Sequence, residues 1–186
     1  MYGLVNKALA DMLREDHGGA SWNLIRAEAG VETEVFVTLD AYPDDVTYRL
    51  VASASAITNR PVDSVLRDFG HHWVMGTAHR HYGHLMRAGG RTLRDFLLAL
   101  PNFHSRVVLI MPNMVPPEFA CTDVREDGLT LHYRSTRAGL APFVDGALEA
   151  LAELFKMRLT VVRAPHRSEG PGHTVFELTW VPCVPP

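Results

Sequence analysis

The stretch LHYRSTRAGL, residues 131–140, alternates in the manner of a β-strand and stops just ahead of an apolar helical run. Alternate residues of a strand share a face, so Tyr133, Ser135 and Arg137 are expected side by side. All three side chains donate hydrogen bonds and none is an acid. A row of donors with no acceptor of its own calls for an anion from elsewhere, and a planar guanidinium takes carboxylates or phosphates through paired bonds. Taken alone, Y-x-S-x-R has a simpler reading, in which Tyr133 and Ser135 cap local structure and Arg137 pairs with a surface acid.

Outward from this stretch, FACTDVRED and LTLHYRSTR flank a turn at Gly128 and read as an antiparallel hairpin. A helix is expected from Pro142 to about Lys156, then a second hairpin made of RLTVVRAP and TVFELTWV, joined by HRSEGPGH. The first half is helical. Val5, Leu9, Met12 and Leu13 recur at helical spacing until Gly18-Gly19 stop the run, and Ser21 caps a short helix ended by Gly30. Residues 32–40 form an irregular or extended joint. Asp44 or Asp45 caps VTYRLVASASAIT, and Pro61 opens a helix with Val65, Leu66, Phe69 and Trp73 on one face. Thr92 caps TLRDFLLAL, and Pro101 restarts a helix that ends before Pro112. Helices, hairpin, helix, hairpin is an α+β order. A chain of 186 residues, 47% of them hydrophobic, suits one domain, read as a helical lobe over roughly 1–60 and a sheet-bearing lobe over roughly 61–186.

Composition removes several classes. The net charge of −3 provides no general attraction for nucleic acid, and no apolar run is long enough for a membrane span. The N-terminus lacks the basic and apolar regions of a secretory signal. Cys121 and Cys183 are too far apart for a zinc motif or a disulfide framework, so a reducing cytoplasm is expected. Cys121 reads as a small buried hydrophobe and Cys183 as an exposed thiol. The segment HHWVMGTAHRHYGH places His72 and His79 seven apart and His81 and His84 three apart. A zinc or copper site there lacks an acid or cysteine, and Gly76 and Gly83 interrupt it, so a solvated helical face is the better reading.

His104, in PNFHSRVVLIM, borders an apolar helix face formed by Val107 and Val108. A lone histidine in such a place is usually a satisfied core residue, yet an imidazole on an apolar wall is also how haem iron is held. A haem offers a flat apolar ring, an iron and two carboxylates, and Tyr133, Ser135 and Arg137 suit the carboxylates. Pro116-Pro117, between the two features, is stiff and reads by itself as a rigid linker.

With these residues in place, the chain resembles the haem nitric oxide/oxygen-binding (H-NOX) family, whose haem-sensing fold is also found in soluble guanylate cyclase. The resemblance runs from MYGLVNKAL to the last hairpin, and HYRSTR, similar to the family's Y-x-S-x-R, is its most specific part. It implies haem b held between the two lobes, with Tyr133, Ser135 and Arg137 on the propionates. His104 in NFHSRV is implied as the iron ligand, and Pro117 in PPEF as the residue that presses on the haem and distorts it. Val5, Leu9, Trp73, Phe143 and Ala147 match positions of the distal pocket. Oxygen-binding members carry a tyrosine where this chain has Phe143, so nitric oxide, with carbon monoxide, is the expected ligand and oxygen is excluded. Trp73, whose indole N–H is the one donor among these positions, is also read as plain packing beside Phe69.

The implied mechanism is a switch and not a reaction. Nitric oxide weakens the bond to His104, its helix relaxes, the haem flattens against Pro117, and the lobes rotate. The chain ends about where the sensor fold ends, so a stand-alone bacterial type acting on a separate protein is expected. Such relatives are paired with a histidine kinase or a cyclic-di-GMP enzyme. The competing readings are a haem-dependent enzyme, which calls for a distal acid, base or donor array, and a haem carrier or haem-free interaction module.

Overall fold

A computed structural model describes residues 1–78, 83, 86, 89–110 and 115–183 of the chain. The architecture is α+β, with helices first and a four-stranded antiparallel sheet after them. Helix α1 (Gly3–Glu28) buries Leu9, Met12 and Leu13 at helical spacing. Its geometry breaks at Gly18 (φ 81°, ψ 162°), a conformation that suits glycine, and resumes at once. Ser21 therefore lies inside the second segment and does not open it. Helix α2 (Asp44–Thr58) has Pro43 as its N-cap, so neither Asp44 nor Asp45 caps it as expected. Helix α3 (Val62–His72) follows Pro61 and runs into a π-helical segment, Trp73–Ala78.

Helix α4 (Leu93–Ile110) corrects the sequence reading, because Pro101 lies within one continuous helix and does not start another. The Thr92 Oγ1 accepts the Asp95 N–H at 3.1 Å, the cap that was expected. Pro101 has no N–H for the carbonyl four residues back. That carbonyl, Leu97, accepts the Cys121 S–H at 3.6 Å from the neighbouring strand. Burial pushes the Cys121 thiol up to about 11, so it stays a protonated donor.

Strands β1 (Glu118–Thr122) and β2 (Gly128–Arg134) form the first hairpin, and β3 (Met157–Arg163) and β4 (His173–Pro182) the second. The sheet order is β1-β2-β4-β3, so β2 and β4 are its central pair. Their register sets Leu129 opposite Leu178, Leu131 opposite Phe176 and Tyr133 opposite Thr174. Leu129, Leu131 and Phe176 are fully buried on the inner face, covered by α4 and by α5 (Ala141–Leu154). Strand β2 ends at Arg134, so the strand expected to reach Arg137 is shorter, and Ser135 and Arg137 belong to the turn that follows.

Two large apolar cores result, beside a small contact of Leu4 with Val107. One joins α1 and α2 to Val65, Leu66 and Phe69 of α3, and the other joins the sheet to α4 and α5. Helices α3 and α5 tie them together by crossing almost backbone to backbone. A Cβ on Gly70 would lie 1.9 Å from the Phe143 carbonyl oxygen, and one on Gly146 would lie 1.8 Å from that of Arg67. Trp73 packs against both cores. Among the described residues no helix is long and apolar enough to cross a membrane.

Candidate functional site

A cavity of about 300 Å³ lies between the helices and the inner face of the sheet. Helix α4 lines it with Phe96, Leu100, His104 and Val107, which share one helix face. Helix α5 contributes Phe143, Val144 and Ala147, and α3 with its π-helical extension contributes Leu66, Phe69 and Trp73. A π-helical turn displaces the helix register, which is how Trp73 and Val74 both reach the lining. Phe143 stacks edge-on against Phe69, with centroids 5.0 Å apart, and has no polar atom to offer.

His104 is the titratable group of the α4 wall. Its Nδ1 lies 3.1 Å from the Leu100 carbonyl oxygen, which fixes the proton on Nδ1 and makes Nε2 the nitrogen with a lone pair. Burial holds the ring below its ordinary pKa, and the Leu100 bond offsets this in part, so the imidazole is neutral at neutral pH. A neutral imidazole oriented through its other nitrogen is what a metal requires. Phe119 of β1 stacks between His104 and Tyr133, with centroid distances of 5.3 and 5.4 Å, and so connects this wall to the polar end.

At the polar end the turn after β2 gathers Tyr133, Ser135 and Arg137. The Ser135 N–H donates to the Gly172 carbonyl at 2.8 Å, and the Ser135 Oγ accepts the Arg137 N–H at 3.0 Å, a serine turn that replaces the strand alternation inferred from sequence. Burial pushes the Tyr133 phenol up, against the opposing effects of a hydrogen bond with Ser135 and the Arg137 charge. Arg137 donates from Nε to Asp44 Oδ2 at 2.8 Å and from Nη1 to the Val115 carbonyl at 2.7 Å. The row of donors thus does have an acceptor within the chain. Asp44, from the start of α2, also accepts from the Met1 ammonium. Burial raises the Asp44 carboxyl, but the hydrogen bonds from the N-terminus and Arg137 outweigh it and hold the group below its ordinary value. Arg137 commits two of its five N–H groups to protein acceptors, leaving the fork able to take a second carboxylate.

Nine of the ten residues named from sequence stand on this one cavity: Val5, Trp73, His104, Pro117, Tyr133, Ser135, Arg137, Phe143 and Ala147. Leu9 is the exception. It is fully buried inside the α1–α2–α3 core and does not line the cavity. Asp44 was missed, because a pairing across 93 residues leaves no local trace. Phe96 and Leu100 were also missed, although their spacing from His104 on α4 was there to be read. His79, His81 and His84 of the histidine cluster lie outside the described residues, and His72 stands 3.8 Å from Glu15. Among the described residues no group of three histidines, cysteines or acids is placed to hold a metal ion. Cys183 is exposed and Cys121 half-buried, and both are free.

An apolar slot with a neutral imidazole on one wall and a guanidinium, a phenol and a hydroxyl at one end defines a domain for a flat, anionic, metal-bearing cofactor. The donor set fits haem: one nitrogen for the iron and three donor groups for the propionates. Residues 2–163 match the haem-NO-binding family, and the chain belongs to it. In sequence it is 28% identical over 162 residues to soluble guanylate cyclase gcy-31 of Caenorhabditis elegans, covering 87% of this chain and 23% of that protein. It is 32% identical over 155 residues to gcy-33 of the same organism, covering 83% of this chain and 16% of that protein. The chain thus spans less than a quarter of these relatives. In fold it is similar to the unliganded Fe(II) H-NOX protein from K. algicida, with a TM-score of 0.85, 21% identity and 97% of each chain covered. It is also similar to an H-NOX protein from S. oneidensis in the Fe(II)NO state, with a TM-score of 0.85, 20% identity, and 97% and 99% covered.

Proposed function

We propose that this chain is a haem b gas sensor that responds to nitric oxide, and to carbon monoxide, while excluding oxygen. One observation carries the reading: His104 and the Tyr133–Ser135–Arg137 turn, named separately from sequence, open onto a single apolar cavity. Bound haem supplies a ferrous iron with a coordination position for a diatomic gas. His104 would hold the iron through Nε2, its ring oriented by Leu100. Arg137, Tyr133 and Ser135 bind the propionates, and Arg137 shares its fork between them and Asp44. Pro117 lines the cavity and would bear on the ring with a side chain that cannot yield by rotation.

Selectivity rests on the opposite wall. Phe143 carries no hydroxyl, and Val5 and Ala147 are apolar, so bound oxygen would lack the donor that stabilises it. Trp73 also lines the cavity, and its indole N–H is a group whose rotation would supply such a donor. Among the described residues the wall formed by Val5, Phe143 and Ala147 carries no acid or base for turnover, which favours a sensor over a haem-dependent enzyme.

Signalling begins at His104. Lengthening or loss of a bond from its Nε2 would free α4, where Pro101, one turn earlier, gives the Leu97 carbonyl no N–H. Pro117 would transmit a change at the cavity wall, and α2 would follow through Asp44 and through Tyr48, whose hydroxyl donates to the Ala138 carbonyl at 2.8 Å. A separate cytoplasmic protein, a histidine kinase or a cyclic-di-GMP enzyme, reads the movement. The test is the absorption spectrum of the reduced, haem-loaded chain in air and with nitric oxide. A five-coordinate ferrous spectrum that persists in air and changes with nitric oxide supports the reading. A stable oxygen adduct removes the selectivity, and a chain that takes up no haem removes the whole proposal.

A further inference from the structure

On the outer face of the sheet, away from the cavity, two histidines stand in contact. His132 of β2 and His173 of β4 stack with centroids 5.3 Å apart, and His132 Nδ1 lies 3.1 Å from His173 Nε2. One backbone group fixes every proton in the pair. The Glu169 N–H donates to His173 Nδ1 at 2.9 Å, so the neutral His173 ring carries its proton on Nε2 and donates it to His132 Nδ1. His132 in turn carries its proton on Nε2, 2.9 Å from the Thr122 hydroxyl on β1. The chain of bonds runs in one direction, from the 164–172 loop through both rings to β1.

An additional proton has no place in this arrangement. On His173 it would face the Glu169 N–H, and on His132 it would face the His173 Nε2–H. A bridging metal ion meets the same obstacle, because freeing His173 Nε2 as a ligand moves its proton onto Nδ1. The surroundings agree. Arg134 on β2 and Arg167 of the loop oppose further positive charge, while Glu169, which favours it, is paired with Arg134 at 2.7 Å. Arg167 is held by Asp123 and Glu177, and on β1 Glu118 stands opposite Arg134. Burial first, then His173 and the two arginines, holds His132 below its ordinary pKa.

The pair sits directly behind the polar end of the cavity. His132 precedes Tyr133, and His173 follows Gly172, whose carbonyl fixes Ser135. We infer that the His132–His173 pair is an acid-released latch: proton uptake at His132 Nδ1 parts the rings while the Glu169 N–H still occupies His173 Nδ1, which frees the 164–172 loop from β2 and loosens the turn that carries Ser135 and Arg137. The latch stands on its own geometry, and its effect on a bound haem rests on the function proposed above. The extra proton binds only the open form, so the latch is closed above the ordinary histidine value, about pH 6.5, and opening is favoured by up to about tenfold per pH unit below it.

Amide exchange of Ser135 in the full chain, expressed as protection relative to an unstructured peptide at the same pH, tests the latch. Protection is expected to fall about tenfold between pH 7 and pH 5.5. In His132→Asn, which keeps an acceptor for His173 but cannot take up a proton, it is expected to change less than twofold. Equal protection of the natural chain at both values, or the same fall in His132→Asn, overturns the proposal. Nitrogen NMR of the natural chain gives a second reading without any substitution: both rings carry their proton on Nε2 at neutral pH, and a proton on either Nδ1 overturns it. Haem transfer to apomyoglobin then separates the two ideas. Acid-accelerated transfer in the natural chain but not in His132→Asn supports the coupling. An exchange response with no change in transfer overturns the coupling alone, and failure to bind haem overturns the function and leaves the exchange result standing.

Discussion

Two of the places where the helical core meets the sheet-bearing core are built in opposite ways. Helices α3 and α5 meet through Gly70 and Gly146, where no side chain separates the backbones and nothing can be exchanged. At the polar end, α2 meets the turn after β2 through Asp44–Arg137 and Tyr48–Ala138, directional bonds that another acceptor can share. The first contact acts as a fixed axis. The second is adjustable, and it adjoins the residues that would bind an anionic ligand. A domain held in this way can register a ligand at one end without losing its packing at the other.

The difference can be broken most severely at the axis. Gly146→Ala places a methyl where the Arg67 carbonyl already stands, so the helices must separate. A loss of about 3 kcal/mol is expected, seen as a fall in Tm of about 6–12 °C. A variant with unchanged Tm would mean that the crossing is not tight. At the adjustable contact, Arg137→Ala is expected to cost less stability, about 1–2 kcal/mol, because Asp44 is 40% exposed and water replaces part of the lost interaction. Its larger effect falls on haem retention, read as faster transfer to apomyoglobin, and a normal transfer rate would remove Arg137 from the clasp.

Asp44→Asn sharpens the comparison through pH. The folded carboxyl lies below its ordinary value, so its stabilisation is fully present above about pH 4 and disappears as pH falls through the folded pKa. Urea unfolding of the natural chain and the variant should therefore differ by a constant amount from pH 8 to 5 and converge below about pH 4. A constant difference at all pH values would show that the charge of Asp44 is not what Arg137 uses. The smallest effect belongs to Tyr48→Phe, about 0.5–1.5 kcal/mol for one partly exposed hydrogen bond, measured in the same assay. A loss above 3 kcal/mol would show that the hydroxyl does more than hold Ala138.

How legible each region is follows from the same physics. The α4 wall is a helix face, and a face has a period, so His104 is legible from sequence as bordering an apolar face, whereas Ala147 on α5 is reached only through the family resemblance. Both hairpins were legible from alternation and turn residues, and Thr92 from its capping chemistry. Pro101 misled because a proline normally ends a helix; here Cys121, 24 residues away, supplies the donor for the Leu97 carbonyl. Leu9 shows the limit of the resemblance: its helical spacing is as expected, but the side chain faces the α1–α2–α3 core and not the cavity. The polar end was read correctly as a gathering of Tyr133, Ser135 and Arg137 but for the wrong reason. The strand stops at Arg134, and a serine turn with a carboxylate from α2 does what alternation was expected to do.

The central claim is that His104 holds a haem iron in this cavity, and replacing it tests that claim most directly. In the reduced His104→Gly chain, the account predicts loss of the five-coordinate ferrous spectrum and poor haem retention, with both restored by added imidazole. A spectrum and retention identical to those of the natural chain, with no response to imidazole, would contradict it.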